Sequence, residues 1–170
     1  MSIVPEEVER YSEAHTTPPA EALRALDAET RATQTSPQML TGPVEGRLLC
    51  CDVSTEWTSI GRGYWESAGV ADVIDLRIAP ALDTLRSLPP DPVVDLAFVD
   101  ADKGGYTDYY EALVPKLSER GLIVADNTLH GGGALEGDVM HDFNEHVMAD
   151  PRTACVLLPV RDGVTLIRLA

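Results

Sequence analysis

Long apolar runs are what this chain most plainly lacks: none exceeds strand length, and no basic start leads into an extended apolar core. Neither a membrane span nor a secretory leader is expected, and the protein reads as soluble and cytoplasmic. Positive charge is equally scarce. Asp and Glu outnumber Lys and Arg by 28 to 13, a formal charge of −15, which repels a phosphate backbone and leaves no basic stripe for one to follow, so no nucleic-acid partner is expected. The same field favours cations, divalent metals and sulfonium compounds among them, although an acid excess serves solubility equally well. Cysteine is rare and odd in number, so Cys50, Cys51 and Cys155 read as small core hydrophobes in a reducing compartment. Internal repeats, low-complexity segments and a G-x-S-x-G nucleophile turn are also missing.

What is present suffices for a core: 170 residues, 44% of them apolar, the size of one domain. Residues 4–14 and 20–32 read as helices of an N-terminal extension over 1–34, separated by "HTTPP". Beyond a loop-like "TSPQMLTGPVEG" the chain alternates. "RLLCCDV" reads as a strand, "TEWTSIGRGYWESAG" as a helix, "DVIDLRIA" as a strand and "PALDTLRSL" as a short helix opened by proline. "VVDLAFVDA" is a strand, "YTDYYEALVPKLSERG" a helix ending at glycine, "LIVADNT" a strand and "LEGDVMHDFNEHVMADP" a helix stopped by Pro151. "TACVLLPV" and "VTLIRLA", joined through "RDG", form an antiparallel hairpin. The pattern predicts a doubly wound α/β sheet with one reversed strand.

Three strands end in acid groups: Asp52 after "LLCC", Asp100 and Asp102 after "LAFV", and Asp126 with Asn127 after "LIVA". Parallel strands deliver their carboxyl ends to one edge, where ligands bind in such folds. Taken singly, each is as well read as a helix cap or turn residue. "VDADK" and "ADN" together favour a hard cation such as Mg²⁺, which takes carboxylate and amide oxygens and keeps positions open for substrate.

"FVDADKGGY" followed by "GLIVADNTLHGG" resembles the paired signatures of the cation-dependent O-methyltransferases, the family of caffeoyl-CoA and catechol O-methyltransferases. The similarity extends through "RLLCCDVSTEWT", "YWESAGVADVIDLRIAPALDTL", "FNEHVMADPR" and "LLPVRDGVTLIRL", and back to "VERYSEAHTTPPAEALRALDAET". It implies a Rossmann-like class I methyltransferase fold, S-adenosylmethionine as methyl donor, Mg²⁺ or another divalent cation such as Mn²⁺ or Ca²⁺, a small hydroxylated aromatic acceptor and a homodimer. By the same resemblance Asp100, Asp126 and Asn127 are metal ligands and Lys103 is the general base. Asp52, Ala81, Asp102 and Thr35 are implied cofactor contacts. Metal chelated by two adjacent oxygens acidifies a catechol hydroxyl, and Lys103 takes the released proton. The exposed oxygen then displaces sulfur at the methyl carbon, a step governed mainly by alignment.

The resemblance breaks at one place. The family carries a turn of the type E-x-G-x-x-x-G after a central first strand, whereas between Ser36 and Arg47 this chain has only "PQMLTGPVEG". Either the strands ending at Asp52 and Asp100 close over a gap of roughly 9 to 10 Å, or residues that belong here are missing from the sequence; the retained motifs favour the second. "GRG" at 61–63 and "GGG" at 131–133 lack the spacing and context of a phosphate loop. His130 replaces the family's usual tryptophan and reads as an exposed loop residue or an extra titrating group near the substrate mouth. His141 and His146, five apart, diverge around a helix and do not make a zinc pair. Trp57, Tyr64 and Trp65 are expected to pack on the sheet. The rival expectation is a noncatalytic relative retained as a binding or dimerisation scaffold.

Overall fold

The computed structural model describes residues 48–170 except residue 92, together with Tyr11, Ala14, Glu21, Arg24, Ala25, Ala28, Glu29 and Ala32, which are helical. Those eight fall inside the two expected N-terminal helices. The remainder of those spans, Thr35 and the stretch 36–47 lie outside the described residues. The chain divides into two compact units, residues 15–84 and residues 1–14 with 85–170.

In the smaller unit, β1 (Leu48–Asp52) and β2 (Ile74–Ile78) pair in parallel from Leu48 with Ile74 to Asp52 with Ile78. Between them runs α1 (Thr55–Ser67), capped by Ser54, whose Oγ accepts from the Trp57 amide at 3.2 Å. It ends at Gly69, whose φ of 70° suits the left-handed position after a helix. None of the residues of α1 is buried. Trp57 is 60% exposed, which corrects the expectation that it packs on the sheet, and the Tyr64 hydroxyl donates to the Glu29 carboxylate. The short α2 (Ala81–Ser87) follows Pro80; from Leu85 on the chain belongs to the larger unit, and Leu85 packs on that unit's own core.

The larger unit holds β3 (Val94–Val99), α3 (Tyr106–Leu113), β4 (Leu117–Asp126), α4 (Val139–Ala149), β5 (Thr153–Leu158) and β6 (Val164–Leu169). Its sheet order is β3-β4-β6-β5, with β3 parallel to β4 and β6 antiparallel to both of its neighbours. The expected hairpin and reversed strand are therefore present. One face of each helix makes the core: Tyr106, Tyr110 and Leu113 of α3 and Met140, Phe143 and Val147 of α4 recur at helical spacing and are buried. They meet Ile123, Ala125 and Ile167, which alternate along β4 and β6.

Two boundaries differ from the sequence reading. The helix expected to run to Gly121 stops at Leu113; Val114–Lys116 is a 3-10 turn and Leu117 already opens β4. Pro115 explains this, since it lacks an amide proton and its ring clashes with the carbonyl four residues back. Gly121 is then needed for close approach in the bulged register between Val94 and Leu96, because a Cβ there would stand 2.8 Å from the Val94 carbonyl oxygen. Likewise α4 starts only at Val139. Gly137 adopts φ 83° and Asp138 caps the helix, accepting from the Met140 and His141 amides.

Candidate active site

The parallel ladder between β3 and β4 ends where Val99 faces Ala125. Asp100 and Asp126 come next on their chains, Asp100 beyond the end of β3 and Asp126 as the last residue of β4, still paired with Val164 of β6. Asn127 follows in the left-handed region, φ 56°, a conformation that Asn tolerates better than most residues. Behind Asp100, a 3-10 turn over Lys103–Gly105 runs directly into α3 and is closed by the Gly105 amide donating to the Asp102 carbonyl at 3.0 Å.

This turn folds Lys103 back between the strand ends. Its Nζ donates to Asp100 Oδ1 at 3.1 Å, to Asn127 Oδ1 at 2.9 Å and to the Tyr106 hydroxyl at 2.6 Å, with the Asp126 carbonyl at 3.5 Å. An ammonium has three protons, and three partners stand at 3.1 Å or closer. The Lys103 and Asp100 side chains are only 19% and 27% exposed, so water screens this pair less than a surface pair. The side chains of Asp100 and Asn127 and the backbone carbonyl of Asp126 all reach one atom, while the Asp126 carboxylate accepts from the Asn127 amide at 2.8 Å.

Beneath them lies Tyr106. Its hydroxyl faces the Asp126 carbonyl at 2.9 Å and the Val99 carbonyl at 3.1 Å. Burial, reinforced by the negative charges of Asp100 and Asp126, pushes this phenol far above its ordinary pKa, so it is a neutral hydroxyl. One helical turn on, Tyr109 donates to Asp102 Oδ1 at 2.5 Å, and burial followed by that carboxylate pushes it up to about 12. Neither tyrosine was singled out from the sequence. Both follow "DADK" at spacings that one helical face serves, a pattern that reads first as core packing.

The loop beyond Asn127 is anchored on all sides. The Thr128 and Leu129 amides donate to the Gly163 and Asp162 carbonyls at 3.0 and 2.9 Å, Asn144 Nδ2 donates to the Thr128 carbonyl at 2.8 Å, and the Thr165 hydroxyl donates to that of Thr128 at 2.9 Å. His130 is exposed, as expected, but it is not idle: its Nδ1 lies 2.5 Å from Asp138 Oδ2. That imidazole, together with the capped amides of α4, holds the Asp138 carboxyl below its usual range. His141 and His146 have separate partners, the Ala134 carbonyl and Glu111.

Asp52 and Ala81 belong to the smaller unit and share the carboxyl end of its sheet. Asp52 Oδ1 accepts from the Ser54 amide at 2.6 Å and its carbonyl from the Ala79 amide at 2.9 Å; Ala81 opens α2. Thr35 lies outside the described residues. Among the described residues, no three His, Cys, Asp or Glu side chains cluster as a metal site, and no helix is long and apolar enough to cross a membrane.

The sequence profile of the O-methyltransferase family matches residues 34–170. The chain belongs to the O-methyltransferase family. A probable caffeoyl-CoA O-methyltransferase 2 of Dictyostelium discoideum is 38% identical over 134 residues, covering 72% of this chain and 58% of the relative. Caffeoyl-CoA O-methyltransferase 1 of Eucalyptus globulus is 37% identical over 142 residues, covering 74% and 58%. The chain thus spans less than two thirds of the length of the curated O-methyltransferases it matches. The SAH-bound Podospora anserina methyltransferase PaMTH1 superposes with a TM-score of 0.84 over 100% of this chain and 99% of its own, at 24% identity. That likeness establishes the methyltransferase α/β fold expected from the sequence.

Proposed function

We propose that the chain transfers a methyl group from S-adenosylmethionine to a hydroxyl of a small aromatic with vicinal hydroxyls, with the help of a divalent cation. One observation carries the reading: Asp100, Asn127 and the Asp126 backbone converge on the single position of the Lys103 ammonium. These donors fit a Mg²⁺-like ion chemically, being carboxylate and amide oxygens without thiolate or imidazole. Asp100, Asp126 and Asn127 would hold it. When bound, such an ion acidifies the hydroxyls of a chelating catechol.

The chain's own groups account for the rest. Lys103 Nζ stands where it can accept the acceptor's hydroxyl proton. Asp102, fixed by Tyr109, serves as a cofactor-facing carboxylate. The anchored loop after Asn127 keeps these groups from drifting, which matters for a displacement governed by alignment. The family relationship and the relatives' names support methyl transfer to oxygen; a small aromatic acceptor and a homodimer accompany the reading.

The test is methyl transfer from labelled S-adenosylmethionine to catechol in Mg²⁺, with calorimetry of cofactor binding. Asp126→Ala is expected to abolish metal-supported turnover while leaving the fold intact by circular dichroism. Undiminished turnover in excess chelator defeats the metal, and absence of cofactor binding defeats the transferase.

A further inference from the structure

We propose that Tyr106 is the positioning residue of Lys103, the buried post that fixes where its proton-accepting nitrogen stands. The inference rests on the function proposed above for Lys103. Of the three partners nearest Nζ, Asp100 and Asn127 are residues that would hold the cation. The Tyr106 hydroxyl, at 2.6 Å, is the one short partner with no such competing assignment. It is also the least able to move. Tyr106 is 1% exposed, and its ring meets Phe143 edge-on, with centroids 5.4 Å apart and planes at 90°.

The same oxygen joins the two strand ends. The last ladder pair is Val99 with Ala125, so the Val99 and Asp126 carbonyls stand at the point where pairing stops. The one hydroxyl proton of Tyr106 serves these two acceptors, at 3.1 and 2.9 Å, while its lone pair accepts from Lys103. A single buried hydroxyl therefore touches β3, β4 and the amine together. A residue that only filled the core would need the ring and not the hydroxyl.

Tyr106→Phe separates these roles because it keeps the ring and its edge contact. In ¹⁵N-lysine-labelled protein, without metal or substrate, the Lys103 ammonium is expected to give a slowly exchanging signal, assigned by its loss in Lys103→Met. That signal disappears in Tyr106→Phe. The kcat of Tyr106→Phe falls about 10- to 100-fold, the usual cost of removing a group that orients a site residue, with KM for S-adenosylmethionine unchanged. Wild-type kcat in the variant, or an ammonium signal unaltered by the substitution, overturns the inference. If the variant does not fold, the wild type decides: a nuclear Overhauser contact between the Lys103 ammonium and the Tyr106 ring supports it, and its absence overturns it. A wild type that orders its ammonium yet transfers no methyl group counts against the proposed function instead.

Discussion

The acidic strand ends of the larger unit stand on a packed floor, whereas that of the smaller unit is held by its own chain. Lys103 and Asp102 are each gripped by a tyrosine of α3, and α3 in turn packs through Tyr106, Tyr110 and Leu113 against α4 and the sheet. Asp52 instead accepts from an amide two residues on, and no residue of the neighbouring α1 is fully buried, although Ile60, Tyr64 and Trp65 are half-buried. A charged group keeps its geometry when its partner is itself immobilised by packing. The larger unit therefore presents a cluster preorganised by packed side chains, and the smaller one an Asp52 held by backbone amides, that of Ser54 on its carboxylate and that of Ala79 on its carbonyl.

The comparison breaks most forcefully at Phe143, which is 2% exposed and stands edge-on to both Tyr106 and Tyr110. Phe143→Ala is expected to destabilise the larger unit by about 3–5 kcal/mol, the usual cost of emptying an aromatic core position. Near-UV circular dichroism of the tyrosines follows it in urea, since Tyr106, Tyr109 and Tyr110 all lie on α3. A loss below about 1 kcal/mol would mean that the floor beneath Lys103 is not the unit's core.

That floor was only partly legible in the sequence. The strands in "VVDLAFVDA" and "LIVADNT" and the terminal hairpin followed from apolar runs bounded by charged and turn residues. Tyr106 and Tyr109 did not, because a tyrosine at helical spacing reads first as core, and only coordinates reveal a hydroxyl aimed back at a lysine. The extent of β4 escaped because "KLSERG" carries a helix-like composition, and the backbone conflict at Pro115 outweighed it. His130 was read correctly as exposed, yet its bond to Asp138 depends on the glycine-rich turn between them, whose φ values of 62° and 99° at Gly131 and Gly132 no periodicity predicts.

A smaller effect sharpens the comparison at the outer end of the same floor. Tyr110 donates to Asp150 Oδ2 at 2.8 Å, and Arg152 bonds both Asp150 and Glu111. Arg152 holds the Asp150 carboxyl well below its usual range, and with His146 it also lowers that of Glu111. A depressed folded pKa contributes stability that is present above the ordinary value of about 3.9 and is lost as pH falls through the depressed one. Melting temperature should therefore drop on acidification below about pH 4. Asp150→Asn is expected to start lower and to fall less steeply. The exposure of Arg152 and Glu111 keeps the difference modest. Parallel acid slopes for the two proteins would remove this network from the account.

The smallest effect tests the other side of the comparison. Both tryptophans of the chain, Trp57 and Trp65, lie on α1, so tryptophan fluorescence follows the smaller unit. If α1 is held mainly by its own backbone, its glycines limit it: a Cβ at Gly63 meets nothing within 4 Å, while one at Gly61 stands 3.1 Å from the Trp65 ring. Gly63→Ala should stabilise the fluorescence-detected transition by about 0.5–1 kcal/mol, the difference in helix-interior preference. Gly61→Ala should gain less, because the indole has to give way. Equal gains, or a loss at Gly63, would show that α1 is positioned by contacts rather than by helix propensity, and the contrast between the two units would narrow accordingly.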